Sequence, residues 1–167
     1  MRTRGLGIGG CLTKERREGR ERVGFTVFDL MSGREAVLAS SKKALGPRVG
    51  RYRVNIPGLV DVGARALREA AASADVVVID EVGPMELTSP EFKRGVEACL
   101  ASGKPILAVV HEQMKDPVIE EFRAMSNKTI LEVTLHNREG LAESLAEQIL
   151  AAIQTEVGGA AGPRSQA

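Results

Sequence analysis

The chain has 167 residues, of which 43% are hydrophobic and 27% charged, and its net charge is +1. This is enough for one domain with a sizeable core. The near-neutral charge and the aromatic content of 3% exclude the usual signs of a nucleic-acid partner. No apolar run approaches the roughly 20 residues that cross a bilayer, and the start lacks a secretory signal. We therefore expect a cytoplasmic protein with no membrane partner.

The first third of the sequence predicts a meander of antiparallel strands. Apolar and polar residues alternate in three short runs, and turns around Gly19 and Gly33 separate them. A basic loop, a short strand and a helical stretch follow. The predicted strands cover residues 7–15, 23–30, 34–40 and 51–56, and the predicted helical stretch covers residues 59–73.

The second part alternates strands and helices, which implies a parallel sheet with helices on its faces. One helix has two candidate starts: a capping box of Thr88 with Glu91, and a cap at Ser89 before Pro90. Asn137 is the predicted start of the last helix. We expect one domain over residues 1–154 and a disordered tail over residues 155–167. The strands are predicted at 76–79, 105–110 and 128–133, and the helices at 88–103, 116–125 and 137–154.

An acidic pair, Asp80 and Glu81, directly follows the apolar run "VVVI". This is a Walker B arrangement, in which the first carboxylate reaches Mg²⁺ through water and the second orients or deprotonates the attacking water. The pattern alone leaves a second interpretation open, because many strands end in acidic residues where the chain returns to solvent. Gly83 and Pro84 favour the functional interpretation, since a tight turn there holds the pair at the sheet edge.

Three further polar residues have a functional and a structural interpretation. His111 follows the next predicted strand, where it can contact a terminal phosphate or be an ordinary surface residue. Arg48 and Arg51 can contact phosphate or form a solvated basic segment. Cys11 and Cys99 lack the spacing of a metal site and are expected to be reduced structural thiols.

No segment of the sequence reads as a phosphate-binding loop. The motif G-x-x-x-x-G-K-[ST] supplies backbone amides and a lysine to the phosphates. The glycines at positions 5, 7, 9 and 10 have no Lys-Ser or Lys-Thr after them, and Pro105 follows Lys104 in "SGKP". The sequence therefore contains the acidic half of a nucleotide site without its phosphate cradle.

Several motifs together resemble one family, the THEP1-type nucleoside-triphosphatases: "GGCLTKE", "GRERVGFTVFDLMSG", "GPRVGRYRVN", "ADVVVIDEVGPMEL" and "SGKPILAVVH". The resemblance runs from about Gly9 to the last helix. It implies a RecA-like α/β P-loop NTPase sandwich that hydrolyses ATP, GTP and other nucleoside triphosphates with Mg²⁺. It also implies nucleotide contacts along one segment: Val76, Val77, Val78, Ile79, Asp80, Glu81, Val82 and Gly83.

Family members begin with a strand, a P-loop and a helix, and the resemblance starts after this unit. We expect the true start to lie upstream of Met1, with a unit of ~30 residues before it. The chain as given is expected to bind nucleotide weakly and to hydrolyse it slowly or not at all. An exposed sheet edge is expected to favour oligomerisation.

Two other functions stay open at this point. A degenerate, non-catalytic domain would use the same sheet as a binding or scaffold module. A nucleotide kinase is a lesser alternative, because the sequence shows no second-substrate pocket or lid. The role of residues 7–54 is also open between shielding the site and forming a partner surface.

Overall fold

The computed structural model describes residues 5–111, 113–134, 136–137 and 139–159. The chain divides into two compact units, Met1–Met125 and Ser126–Ala167. The first unit contains the sheet and every helical segment described below except the last. The second unit contains the last helix. The interpretation of residues 1–154 as one domain stays a prediction.

A mixed sheet of seven strands forms the centre of the first unit. Its order is β4-β5-β3-β2-β1-β6-β7. β6 pairs in parallel with β1 on one side and β7 on the other, whereas β1, β2, β3, β5 and β4 pair successively in antiparallel fashion. The strands are β1 (Ile8–Glu18), β2 (Glu21–Asp29), β3 (Glu35–Ser40), β4 (Arg48–Val49), β5 (Tyr52–Val54), β6 (Val76–Val82) and β7 (Ile106–Val110).

The helices connect the parallel strands and cover the sheet. A continuous helical stretch consists of α1 (Ile56–Gly58), a π-helical segment (Leu59–Ala64) and α2 (Arg65–Ser73). A short 3₁₀ helix (Glu86–Thr88) and α3 (Pro90–Ala101) follow β6, and α4 (Pro117–Ala124) follows β7. α5 (Leu141–Gly159) lies in the second unit. Among the described residues, no helix combines the length and apolar character needed to span a membrane.

The core lies between the sheet and the α2–α3 pair, because both helices turn small or apolar residues inward. Leu67, Phe92, Val96 and Ile79 are fully buried there. Gly10 lets β1 lie flush against β6: its φ is 110°, and an added Cβ would overlap the carbonyl oxygen of Val78. Gly10 is one of the clustered glycines that do not form a P-loop motif. The parallel pairing of β1 with β6 requires a glycine at this position.

Most predicted elements agree with the structure in the first unit, but β6 continues through Asp80 and Glu81 to Val82, and the predicted basic loop contains β4. The structure also decides between the two candidate starts of α3. Ser89 caps α3, because its Oγ accepts a hydrogen bond from the Phe92 backbone N–H at 3.2 Å and Pro90 occupies the first turn. Thr88 instead donates its hydroxyl hydrogen to the Met85 carbonyl, so the Thr88–Glu91 capping box is wrong.

Two predictions in the second unit are also wrong. Residues 128–133 form no strand, since a β-branched run becomes a strand only where another strand pairs with it. Asn137 does not start the last helix. Its side chain closes a turn, accepting from the Thr134 backbone N–H and donating to the Glu132 carbonyl, both at 2.8 Å. α5 starts at Leu141 and ends at Gly159, and residues 160–167 of the predicted tail lie outside the described residues.

Candidate active site

A cavity of ≈ 360 Å³ opens beyond the carboxyl end of β6. Ligands of parallel α/β sheets bind at this edge. The lining combines carboxyl groups, one imidazole, one hydroxyl and an apolar wall: Thr13, Glu15, Phe25, Val49, Asp80, Glu81, Pro84, Met85, Glu86 and His111. All three residues predicted to be catalytic, Asp80, Glu81 and His111, line this one cavity.

β6 fixes Asp80 and Glu81 because its preceding residues are held on both sides. Val76, Val77 and Ile79 are fully buried, and β1 pairs with β6 as far as Leu12 opposite Asp80. The two carboxylates are half-buried, and neither forms an ion pair within the part of the chain that the structure describes. Burial raises the pKa of Asp80, and burial together with the charge of Asp80 raises the pKa of Glu81.

Gly83 determines where the Glu81 carboxylate lies. A Cβ added at position 83 would overlap Oε1 of Glu81, so the carboxylate folds back over the backbone of the glycine. Gly83 also has a negative φ, and the position therefore demands a small residue rather than an unusual backbone conformation. The Gly-Pro turn thus places the second carboxylate as well as ending the strand.

His111 lies directly after β7, the parallel neighbour of β6. Its backbone N–H donates to the carbonyl of Val82 at 3.3 Å, which extends the pairing beyond the strand. The imidazole is exposed, and its charge acts to lower the pKa of Glu81 against the two effects that raise it. His111 is therefore close enough to favour the ionised form of Glu81.

Sequence reasoning missed Glu86, which lies at the start of the 3₁₀ helix. Its side chain is 2% exposed. Oε1 accepts a hydrogen bond from the Thr13 hydroxyl at 3.4 Å, and Oε2 is buried without a hydrogen-bond partner among the described residues. Burial is the main cause that raises the pKa of Glu86 to about 7. The flanking Met85 and Leu87 were the one signal in the sequence for a buried position.

The meander supplies the apolar wall. Phe25 of β2 and Val49 of β4 line the cavity, and Phe25 packs edge-on against Tyr52 with ring centroids 5.2 Å apart. Arg22 lies against both rings and donates to the Tyr52 hydroxyl at 3.0 Å. The strand-rich region therefore contributes directly to the cavity wall.

The two arginines predicted to contact phosphate are not among the residues that line the cavity. Arg48 donates its Nε–H to the Gly50 carbonyl at 2.9 Å. Arg51 donates to the carbonyl of Arg22 and to the Tyr52 hydroxyl, and it forms an ion pair with Glu21. Both are exposed. The contact of Arg48 and Arg51 with phosphate stays a prediction. The nucleotide contacts of Val76–Gly83 stay a prediction as well.

The donor set fits a divalent cation held through water. No group of three or more His, Cys, Asp or Glu side chains within the described parts of the chain is arranged to enclose a metal ion. Mg²⁺, however, keeps several waters and is bound through one or two carboxylates plus substrate phosphates. Asp80 and Glu81, which form no ion pair with a described residue, match that requirement, and the same cavity includes Glu86, whose Oε2 has no hydrogen-bond partner among the described residues.

Comparison with known proteins identifies the family of the chain. The family model described as NTPase matches residues 1–150. Nucleoside-triphosphatase THEP1 of Thermofilum pendens is 45% identical over 148 residues, which is 88% of this chain and 81% of the relative. The chain belongs to the THEP1-type nucleoside-triphosphatase family.

Further members of the family match this chain in sequence and in fold. Nucleoside-triphosphatase THEP1 of Methanosarcina acetivorans is 43% identical over 146 residues, 87% of this chain and 81% of the relative. The crystal structure of THEP1 from the hyperthermophile Aquifex aeolicus has a TM-score of 0.74 at 26% identity, covering 85% of this chain and 83% of that one. The predicted THEP1-type P-loop NTPase fold is confirmed.

Proposed function

We propose that the protein is a Mg²⁺-dependent nucleoside-triphosphatase that converts a nucleoside triphosphate and water to the diphosphate and phosphate. The observation that carries this proposal is the placement of Asp80, Glu81 and His111 on one cavity beyond the end of β6. The two carboxylates form no ion pair with any described residue, so their charge is available to a metal ion and a water. Relatives named nucleoside-triphosphatase support the reaction class.

Each of the three residues has one role in this reaction. Asp80 would hold Mg²⁺. Glu81 accepts the proton of the attacking water on its carboxylate, for which Gly83 leaves room because it has no Cβ. His111 contacts the terminal phosphate from the end of the neighbouring strand.

The charge of the cavity explains why the metal is required. Glu15 is neutralised by Arg17 and Arg22 at 2.6 Å each, but Asp80 and Glu81 are not. A triphosphate alone would be repelled by these carboxylates. When bound, Mg²⁺ neutralises the charge of the β- and γ-phosphates and of the leaving group.

Turnover by residues 1–167 alone is proposed to be slow. These residues contain no G-x-x-x-x-G-K-[ST] motif, and such loops supply much of the positive field around the phosphates. We assign nucleotide contacts to Val76–Gly83 and phosphate contacts to Arg48 and Arg51 as parts of this proposal.

Phosphate release from ATP and GTP tests the assignment of Glu81. Glu81→Gln keeps the size of the side chain but removes the proton acceptor. We expect it to remove the Mg²⁺-dependent rate while the Mg²⁺–nucleotide complex still raises the melting temperature. Glu97→Gln is the matched control, because Glu97 is an exposed carboxylate on α3, and it should leave the rate unchanged.

Two outcomes contradict the proposal. If Glu81→Gln retains the full Mg²⁺-dependent rate, Glu81 is not the proton acceptor. If neither ATP nor GTP changes the melting temperature and no phosphate is released, the chain is a binding or scaffold module that uses the same sheet.

A further inference from the structure

Glu86 is the titratable group that the proposed reaction leaves unused. It lies on the cavity with Asp80 and Glu81, yet only 2% of the residue is exposed. The Thr13 hydroxyl donates to its Oε1 at 3.4 Å. Its Oε2 is buried and finds no hydrogen-bond partner in the described parts of the chain. Buried carboxyl oxygens normally accept at least one hydrogen bond, and Oε2 accepts none from the described residues.

A buried carboxylate needs either a cation beside it or a proton on it, because its charge is costly away from water. Glu86 forms no ion pair with any described residue. Burial and the charge of Glu81 raise its pKa, while its own backbone N–H, the Thr13 hydroxyl and the backbone N–H of Gly83 oppose the rise. Without a cation in the cavity, Glu86 therefore keeps most of its proton below about pH 7.

The surrounding charges are mainly negative. Glu81 and Asp80 approach from β6 without an ion pair to any described residue. On β1, Glu15 is paired with Arg17 and Arg22, and burial raises the pKa of the Cys11 thiol. The exposed His111, after β7, is the one basic side chain among the residues that line the cavity. A cation that enters this cavity offsets the charge of Glu81, which after burial is the second cause that raises the pKa of Glu86, and its own charge favours the ionised form of Glu86.

We propose that Glu86 is a third carboxyl group of the acidic site, which holds a proton on Oε2 in the metal-free protein and releases it when a divalent cation binds beside Asp80 and Glu81. This inference rests on the proposed function for the presence of the cation, and it adds a coupling between cation binding and proton release. Glu86 acts as a positioning residue, because its carboxyl group is neutral before the cation binds and negatively charged afterwards.

The step is balanced without a further reactant. The O–H bond on Oε2 breaks, and its electron pair stays on the carboxylate. The proton passes to water and then to buffer, and the positive charge of the cation offsets the new negative charge. The Thr13 hydroxyl donates to Oε1, and this bond does not require the proton on Oε2.

Calorimetric titration of the 167-residue chain with Mg²⁺ alone measures this coupling. Titrations at about pH 6.5, in two buffers with different ionisation enthalpies, give the number of protons released per ion bound. We expect the wild type to release up to about one proton more than Glu86→Gln, which is permanently neutral. Glu97→Gln on the exposed face of α3 should match the wild type.

The pH dependence of affinity gives a second readout that a purely structural role would not change. The affinity of the wild type for Mg²⁺ should rise by up to about tenfold per pH unit below neutrality through Glu86. Glu86→Gln should lose that part of the rise and keep the part that Asp80 and Glu81 contribute. Equal pH dependence in both proteins would overturn the proposal.

Infrared difference spectra of the wild type cover the case in which Glu86→Gln does not fold. Adding Mg²⁺ should remove the carbonyl band of one protonated carboxyl group and add a carboxylate band. An unchanged spectrum at saturating Mg²⁺, or the absence of saturable Mg²⁺ binding, contradicts the inference. If Mg²⁺ binding releases the proton but no phosphate is released from nucleotide, only the proposed hydrolysis is contradicted. If nucleotide is hydrolysed but Mg²⁺ binding releases no proton, only the role of Glu86 is contradicted.

Discussion

At the scale of single residues, the sequence predicts those site residues whose position follows from a strand. Asp80, Glu81 and His111 come directly after apolar runs, and adjacent parallel strands bring their ends together. Glu86 could not be found in this way. Its burial depends on how the 3₁₀ turn packs against β1, and a glutamate in a turn is ordinarily exposed. Arg51 is an intermediate case, since its contacts depend on the proximity of β2, whereas Arg48 bonds locally to the Gly50 carbonyl.

Gly83→Ala tests whether the position of the Glu81 carboxylate matters. The added methyl would overlap Oε1 of Glu81, while the negative φ of Gly83 lets alanine keep the backbone. We expect the side chain of Glu81 to move, and the Mg²⁺-dependent rate to fall by about 10²-fold. The melting temperature should change little by comparison.

Phosphate-release assays and thermal unfolding of the same preparations separate the two effects of Gly83→Ala. An unchanged rate would mean that Glu81 reaches the water from more than one position. A rate that falls only in proportion to the unfolded fraction would assign Gly83 to stability instead of to the site.

At the scale of the elements, local sequence signals succeed where the deciding contact is also local. The N-cap at Ser89, the proline after it and the positive φ of Gly103 define α3 within a few residues. The run over residues 128–133 fails because strand formation requires a partner that β-propensity does not supply. Asn137 fails because the same side chain serves a turn as readily as a helix start.

Ser89→Ala measures what the cap contributes to the first unit. Ser89 is fully buried, and its Oγ accepts the Phe92 backbone N–H. Removing that acceptor leaves a buried donor unpaired, so we expect the free energy of unfolding to fall by about 1 to 2 kcal/mol.

Ser73→Ala is the matched control for this cap. The Ser73 hydroxyl is exposed and donates back to the Glu69 carbonyl within α2, a bond that alanine replaces at almost no cost in a helix. Urea unfolding of the three proteins at one pH makes the comparison. Equal losses for both variants would show that the cap contributes no more than an exposed hydroxyl.

At the scale of the whole molecule, the sheet combines a parallel side that presents the acidic cavity with an antiparallel side that supplies its apolar wall. β4 and β7 are the outer strands of the described sheet. The apolar edge strand β7 has Val109 half exposed, and association through this edge stays a prediction. Alternation of strands and helices in the sequence was sufficient to predict the class, whereas the order of the strands came only from the long-range pairings.

The stability of the molecule should depend on pH through Glu86. Its pKa is about 7 in the folded protein, against 4.5 for an ordinary glutamate. Below about pH 4.5 both states hold the proton, and Glu86 contributes its full stability. As the pH rises towards 7, the unfolded chain loses the proton while the folded protein keeps it, so the free energy of unfolding falls, by on the order of 3 kcal/mol in total.

Urea unfolding of the metal-free protein between about pH 5 and pH 8 checks this sign, with Glu86→Gln as the comparison. Asp80 and Glu81 have raised pKa values as well, so both proteins should lose stability as the pH rises, and the wild type should lose more. Because glutamine is neutral throughout, the difference in free energy of unfolding should shift in favour of the variant as the pH rises towards 8. Parallel curves for the two proteins would mean that the buried oxygen of Glu86 finds a partner in solution, and that its charge is already compensated before any cation binds.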